Sequence, residues 1–144
     1  MYKEYSPCSV LAPFIYHFWE YKGETRSGLK FNIPPHGCSD LVFIVGNAAD
    51  CIRNSLIMKP YHSYFFGPMN TFTELVAHTN FIHIIGVRFR PCGLFQFIEI
   101  PLNELANQGI DSQEFPVLFS QSFIYQLCES NQNPIDIIEH ELVR

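Results

Sequence analysis

The chain has 144 residues, the size of a single domain with one hydrophobic core. Its formal net charge is -5 and only 16 % of its residues are charged, which argues against a basic surface for direct contact with nucleic acid. The sequence shows neither a signal peptide nor an apolar run long enough to cross a membrane, so we expect an unanchored cytoplasmic protein. Aromatic residues reach 15 %, more than a small core needs, so some are expected to line a pocket or an interface.

The first ninety residues have the pattern of a β-rich unit. Short runs of Phe, Tyr, Ile and Val alternate with Gly, Pro and Asn at a spacing that favours a sandwich or barrel over a βαβ fold. The predicted strands are Phe14–Tyr21, Lys30–Ile33, Asp40–Val45, Cys51–Ile57, Tyr61–Phe66, Thr71–His78 and Phe81–Arg90.

Residues 91–144 have a helical pattern. A short helix is expected after Pro91, a second from Pro101, and a third between Phe115 and Glu129, where apolar residues recur every four positions. Asn133 and Pro134 predict the start of a last amphipathic helix. Strands followed by helices predict a single α+β domain over residues 1–144, mostly β over 1–90 and helical over 91–144.

Several short motifs resemble, in order and spacing, the N-terminal domain of a branch of AraC-type transcriptional regulators. They are Pro7…Leu11-Ala12-Pro13…Phe18-Trp19, Pro35-His36-Gly37-Cys38-Ser39-Asp40-Leu41, Gly67-Pro68, Gly86-Val87-Arg88-Phe89-Arg90-Pro91-Cys92-Gly93 and Pro101-Leu102-Asn103-Glu104-Leu105. His36 and Cys92 depart from the pattern, standing where that branch has Asp and a second Gly.

The resemblance implies a cupin-like antiparallel β-barrel or sandwich followed by C-terminal helices. It also implies a bacterial, non-enzymatic regulatory domain that senses a small-molecule effector and forms a homodimer. Such a domain contacts DNA only through a helix-turn-helix unit, which this chain does not contain. The alternative is a stand-alone cupin-like binding protein or enzyme.

The candidate ligand-binding residues are aromatic side chains, one histidine in a turn and one arginine, namely Trp19, His36, Phe43, Tyr64, Phe66, Phe72 and Arg88. The aromatic residues suit an apolar pocket, although most of them would equally serve as core. Arg88 suits a ligand carboxylate, and the competing interpretation is a structural ion pair with Asp40 or Glu74.

Two apolar stripes on the last helices are candidate dimerisation surfaces, formed by Phe119, Phe123, Leu127, Ile135, Ile138 and Leu142. The alternative is that they pack on the sheet of their own chain. The six histidines and five cysteines show no metal-ligand spacing and no nucleophile motif, so no metal, cofactor or catalytic residue is expected.

Overall fold

A computed structural model describes residues 2–24, 30–33, 37–45, 51–53, 56–68, 73–77, 80–91, 93–97, 109–114 and 119–143. Its strands are β1 (Tyr2–Tyr5), β2 (Ile15–Glu24), β3 (Lys30–Ile33), β4 (Asp40–Ile44), β5 (Cys51–Arg53), β6 (Leu56–Met58), β7 (His62–Phe66), β8 (Thr73–Ala77), β9 (Phe81–Phe89) and β10 (Gly109–Asp111). Its helices are the 3-10 helices Gly93–Gln96 and Ser112–Glu114 and the α-helices α1 (Gln121–Glu129) and α2 (Pro134–Val143).

The strands form two antiparallel sheets. One sheet has the order β1-β2-β9-β4-β7-β10 and the other the order β3-β8-β5-β6. With the two C-terminal α-helices, this confirms the predicted α+β class.

Both faces of the six-stranded sheet are buried, because each packs on a different layer. One face, here called the helix face, lies against α1 and α2 through residues such as Phe43, Val87 and Ile138. The opposite face, here called the inter-sheet face, packs against the four-stranded sheet through residues such as Ile84 and Met58. A strand that is buried on both sides loses the alternation of polar and apolar residues, which explains the nearly continuous apolar run in β9.

The α-helices begin at side-chain caps. The Ser120 hydroxyl accepts a hydrogen bond from the backbone N–H of Phe123. The side-chain oxygen Oδ1 of Asn133 accepts one from the backbone N–H of Ile135. The cap that the sequence predicted at Asn133 is therefore confirmed. Helix α1 (Gln121–Glu129) lies within the predicted segment Phe115–Glu129 and begins at Gln121 because Ser120 caps it there.

Tyr61, which precedes β7, forms two hydrogen bonds with side chains of α1. Its backbone has a left-handed φ of 65°, which is uncommon for a residue other than glycine. Its hydroxyl donates to Glu129 at 2.6 Å, and its carbonyl accepts from the Gln121 side chain at 2.9 Å. Helix α2 is held by Glu139, whose carboxylate accepts the N–H of Cys8 at 2.7 Å.

Three expectations about secondary structure were wrong in detail. Strands β1 and β10 were not predicted, and β10 lies in the segment expected to be helical. The predicted strand Cys51–Ile57 is two short strands, β5 and β6, paired with each other. The helix expected after Pro91 is a single 3-10 turn, and the one expected from Pro101 lies outside the described residues.

Candidate functional site

A row of side chains crosses the inter-sheet face at one end of the six-stranded sheet. His17 on β2 lies opposite Arg88 on β9, Arg88 lies opposite Asp40 on β4, and Asp40 lies opposite Phe66 on β7. Residues that face each other across antiparallel strands have Cβ atoms roughly 5 Å apart, so these side chains are direct neighbours. The register therefore brings together four residues that are far apart in sequence.

Arg88 and Asp40 form a two-point ion pair at the centre of this row. Arg88 donates from Nε to Asp40 Oδ1 at 3.1 Å and from Nη2 to Asp40 Oδ2 at 3.3 Å. The Asp40 side chain is 1 % exposed and that of Arg88 is 22 % exposed. Burial lowers the pKa of Arg88, but the Asp40 carboxylate more than offsets this and leaves the pKa above its usual value. Arg88 therefore stays protonated throughout the physiological range.

Trp19 lies beside this ion pair, because it occupies the neighbouring row opposite Gly86. The indole covers the glycine so closely that a Cβ at position 86 would be 2.0 Å from Trp19 Cε2. On its other side, the Trp19 ring stacks with Tyr2 at a centroid distance of 6.2 Å. Glycine at position 86 is thus required by the close approach of the indole.

His17 lies between Arg88 and the first strand. Its Nε2 atom is 3.6 Å from Glu4 Oε2, which is too long for a hydrogen bond. Burial lowers the pKa of His17 below its usual value of 6.5, and the nearby Arg88 acts in the same direction while Glu4 opposes it. We therefore expect a neutral imidazole at neutral pH.

Two polar atoms of this cluster are buried without a hydrogen-bond partner among the residues that the structure describes, His17 Nε2 and Trp19 Nε1. The large majority of buried side-chain polar atoms in proteins are hydrogen-bonded, so two neighbouring exceptions on one face are unusual. Together with Arg88, these two atoms make this end of the sheet the candidate functional site.

The structure brings four of the seven candidate ligand-binding residues onto the inter-sheet face, namely Trp19, Tyr64, Phe66 and Arg88. Phe43 lies on the helix face, fully buried against Phe119, so it cannot line a site with the other four. His36 and Phe72 lie outside the described residues. Of the two partners suggested for Arg88, the structure shows Asp40, and the side chain of Glu74 is not described.

The expected dimerisation stripes are covered by the chain itself. Five of these side chains lie on α1 and α2, and Phe119 lies just before the Ser120 cap of α1. All six pack on the helix face, where five are buried and Phe123 is partly buried: Phe119, Phe123, Leu127, Ile135, Ile138 and Leu142. The alternative of packing on the sheet accounts for both stripes.

Three members of the cluster, His17, Glu4 and Tyr2, were not predicted as site residues. Strand β1, which carries Glu4 and Tyr2, was not predicted either. The signal that indicates His17 is its position two residues before Trp19, since residues i and i+2 of a strand share a face. The signal for Glu4 and Tyr2 is weaker, because it requires the register of β1 on β2.

Two further polar networks lie elsewhere on the six-stranded sheet. His83 Nε2 is 2.6 Å from Glu20, which also accepts from the Tyr5 hydroxyl at 3.0 Å. His62 Nδ1 is 3.1 Å from Asp111 at the β10 edge. Within the described part of the chain, no group of three or more His, Cys, Asp or Glu side chains is arranged to hold a metal ion.

The molecule is thus an α+β domain with a polar cluster on the face between its two sheets. The chain belongs to the family described as a domain of unknown function, DUF6597, whose profile matches residues 3–111. The match extends to the last residue of β10, so α1 and α2 lie beyond it. No curated protein matches the sequence. In the described residues, no helix has the length and apolar character needed to cross a membrane.

Proposed function

We propose that this chain is the small-molecule-sensing domain of an AraC-like transcriptional regulator, with its two sheets forming a cupin-like barrel. The observation that carries the proposal is the cluster of His17, Trp19 and Arg88 on the face between the sheets. Two of its buried polar atoms have no hydrogen-bond partner among the described residues. The order of elements, antiparallel strands and then helices, is the order that the resemblance implies.

Strand β9 supplies a physical route from this site to the helices. Arg88 points to the inter-sheet face, while its neighbours Val87 and Phe89 are fully buried on the helix face among residues of α1 and α2. Because both faces are closely packed, a small shift of β9 around a ligand must be accommodated by the helices. A ligand can act in this way only if it binds two arrangements with different affinity.

In this proposal, the domain is cytoplasmic, catalyses no reaction and requires no cofactor. It acts on DNA through a helix-turn-helix unit outside this chain and works as a homodimer. Because the helix stripes are buried within the chain, the dimer interface uses other surfaces. Sedimentation across a range of protein concentrations tests this part, and a monomer at the highest concentration contradicts it.

The sensing role is tested with the fluorescence of Trp19, which is the only tryptophan in the chain. A panel of small metabolites is titrated against the wild type and against Arg88→Lys, which keeps the charge but loses the planar fork. Lys3→Gln is the control, since it removes a positive charge from an exposed position of β1.

We expect at least one compound to give a saturable change that is weakened in Arg88→Lys and retained in Lys3→Gln. A flat response across the panel contradicts the sensing role. Equal affinity in all three proteins would mean that the compound binds somewhere other than the Arg88 cluster.

A further inference from the structure

The polar atoms of the Arg88 cluster restrict what kind of ligand it can take. The indole Nε1 of Trp19 can only donate a hydrogen bond, so its missing partner must be an acceptor. His17 Nε2 can donate or accept, depending on the tautomer of the neutral ring. Trp19 and His17 are two residues apart on the same face. His17 lies directly opposite Arg88, and Trp19 is its diagonal neighbour. The register therefore places the three side chains next to one another on one face.

Arg88 also has donor capacity left. Arg88 donates to Asp40 from Nε and with one N–H of Nη2. No described residue accepts a hydrogen bond from Nη1. The guanidinium therefore has N–H groups on Nη1 that form no hydrogen bond within the described residues. Its charge, however, is already balanced by Asp40, which lies directly opposite.

The remaining charges around the cluster disfavour an ionic ligand. Glu4 adds a negative charge next to His17, and Tyr2, whose hydroxyl donates to Glu4, stays neutral. A ligand carboxylate would meet Asp40 and Glu4, and Arg88 is the only basic side chain that the described residues place in this cluster. An ammonium group cannot accept a hydrogen bond from the indole.

We propose that this cluster binds an uncharged small molecule through a carbonyl or hydroxyl oxygen that accepts hydrogen bonds from Trp19 Nε1 and Arg88 Nη1. This inference rests on the proposed sensing function and replaces the ligand carboxylate expected from sequence. His17 contributes a third hydrogen bond, and its neutral ring allows either direction. The site thus selects for an amide, ketone or alcohol and against the corresponding acid.

The test uses pairs of probes that differ in charge and little else. Protein labelled with ¹⁵N is titrated with acetamide and acetate, then with benzamide and benzoate, and methylammonium represents cations. The signal followed is the indole N–H resonance, which is unique because the chain has one tryptophan. A new hydrogen bond to this group moves its proton resonance downfield and slows its exchange with solvent.

We expect each amide to shift the indole resonance and to bind at least about tenfold more tightly than its acid, as charge repulsion over a few ångströms implies. In Arg88→Lys and His17→Asn, amide affinity should fall several-fold, while Lys3→Gln should match the wild type. Because the amide and acid are compared in the wild type, the outcome does not depend on whether a variant folds.

Tighter binding of the acids or of methylammonium would overturn the assignment of an uncharged ligand and leave the sensing function intact. An indole resonance that no probe moves would overturn the assignment of the site itself. If the metabolite panel then also gives no fluorescence response, the proposed function fails as well.

Discussion

The contact between Trp19 and Gly86 gives the sharpest mutational test of the inter-sheet face. In Gly86→Ala, the new methyl carbon would lie 2.0 to 2.3 Å from three atoms of the indole, well inside van der Waals contact. Neither strand can move aside easily, since β9 is paired on both edges, with β2 and with β4. The indole must therefore leave its place between Tyr2 and the sheet.

Overpacking of this kind costs about 1–3 kcal/mol of unfolding free energy. The same substitution in a Trp19→Leu background should cost little, because the indole that it strikes is gone. The coupling energy between the two positions should therefore be close to the whole cost of the single Gly86→Ala change, about 1–3 kcal/mol. Gly37→Ala is a matched control, since no atom lies within 4 Å of its Cβ position, and it should leave stability nearly unchanged.

The assay is urea unfolding followed by far-ultraviolet circular dichroism, because Trp19→Leu removes the fluorescent reporter. Additive effects of the two substitutions, within about 0.5 kcal/mol, would refute the reasoning, since they would mean that the indole does not lie over Gly86. A Gly86→Ala protein as stable as Gly37→Ala would refute it as directly.

Three further predictions follow from burial and charge. Asp40→Asn should lower the unfolding free energy by about 1–3 kcal/mol, because it leaves a largely buried Arg88 unpaired. Adding Arg88→Met to this variant should restore part of the loss. Urea unfolding of both proteins measures the effect, and a fully additive loss in the double variant would contradict the prediction. Because the pKa of His17 is lower in the folded chain than its usual 6.5, the unfolding free energy should decrease as the pH falls through 6.5. His17→Gln should flatten the plot of unfolding free energy against pH in this range, and an unchanged slope in the variant would contradict the prediction. Ile138→Ala, at a fully buried site on α2, should lower the unfolding free energy by about 2–5 kcal/mol, whereas Val143→Ala on the exposed side of the same helix should lower it little. Thermal unfolding of the two variants compares them. Similar losses would mean that α2 does not pack on the sheet.

Much of the fold was predictable because the strands carry clear local patterns. The predicted strand Lys30–Ile33 agrees with β3 at both ends, and Asp40–Val45 and Phe81–Arg90 differ from β4 and β9 by one residue. Strand β10 was not predicted, because three residues are too few to show an alternation of polar and apolar side chains. Strand β1 escaped because Tyr2–Tyr5 is short and exposed and is defined by its pairing with β2.

The candidate site was predictable only in part, since its members meet through register. Sequence alone indicates that Arg88 and Gly86 share a face and that Asp40 could pair with Arg88. It does not indicate that β9 lies between β2 and β4, which is the arrangement that places His17 beside the ion pair. The same limit explains why the position of Phe43 on the helix face was not predicted, because an aromatic residue in a strand buried on both faces gives no sign of which layer it contacts.

The central claim, that a ligand between the sheets alters the helices, is tested most directly by hydrogen–deuterium exchange of the chain with and without a compound that changes Trp19 fluorescence. The account predicts slower exchange in β2 and β9, where the cluster lies, together with a change in α1 and α2 across the sheet. Protection that avoids β2 and β9, or that stops at those strands and leaves both helices unchanged, would contradict it.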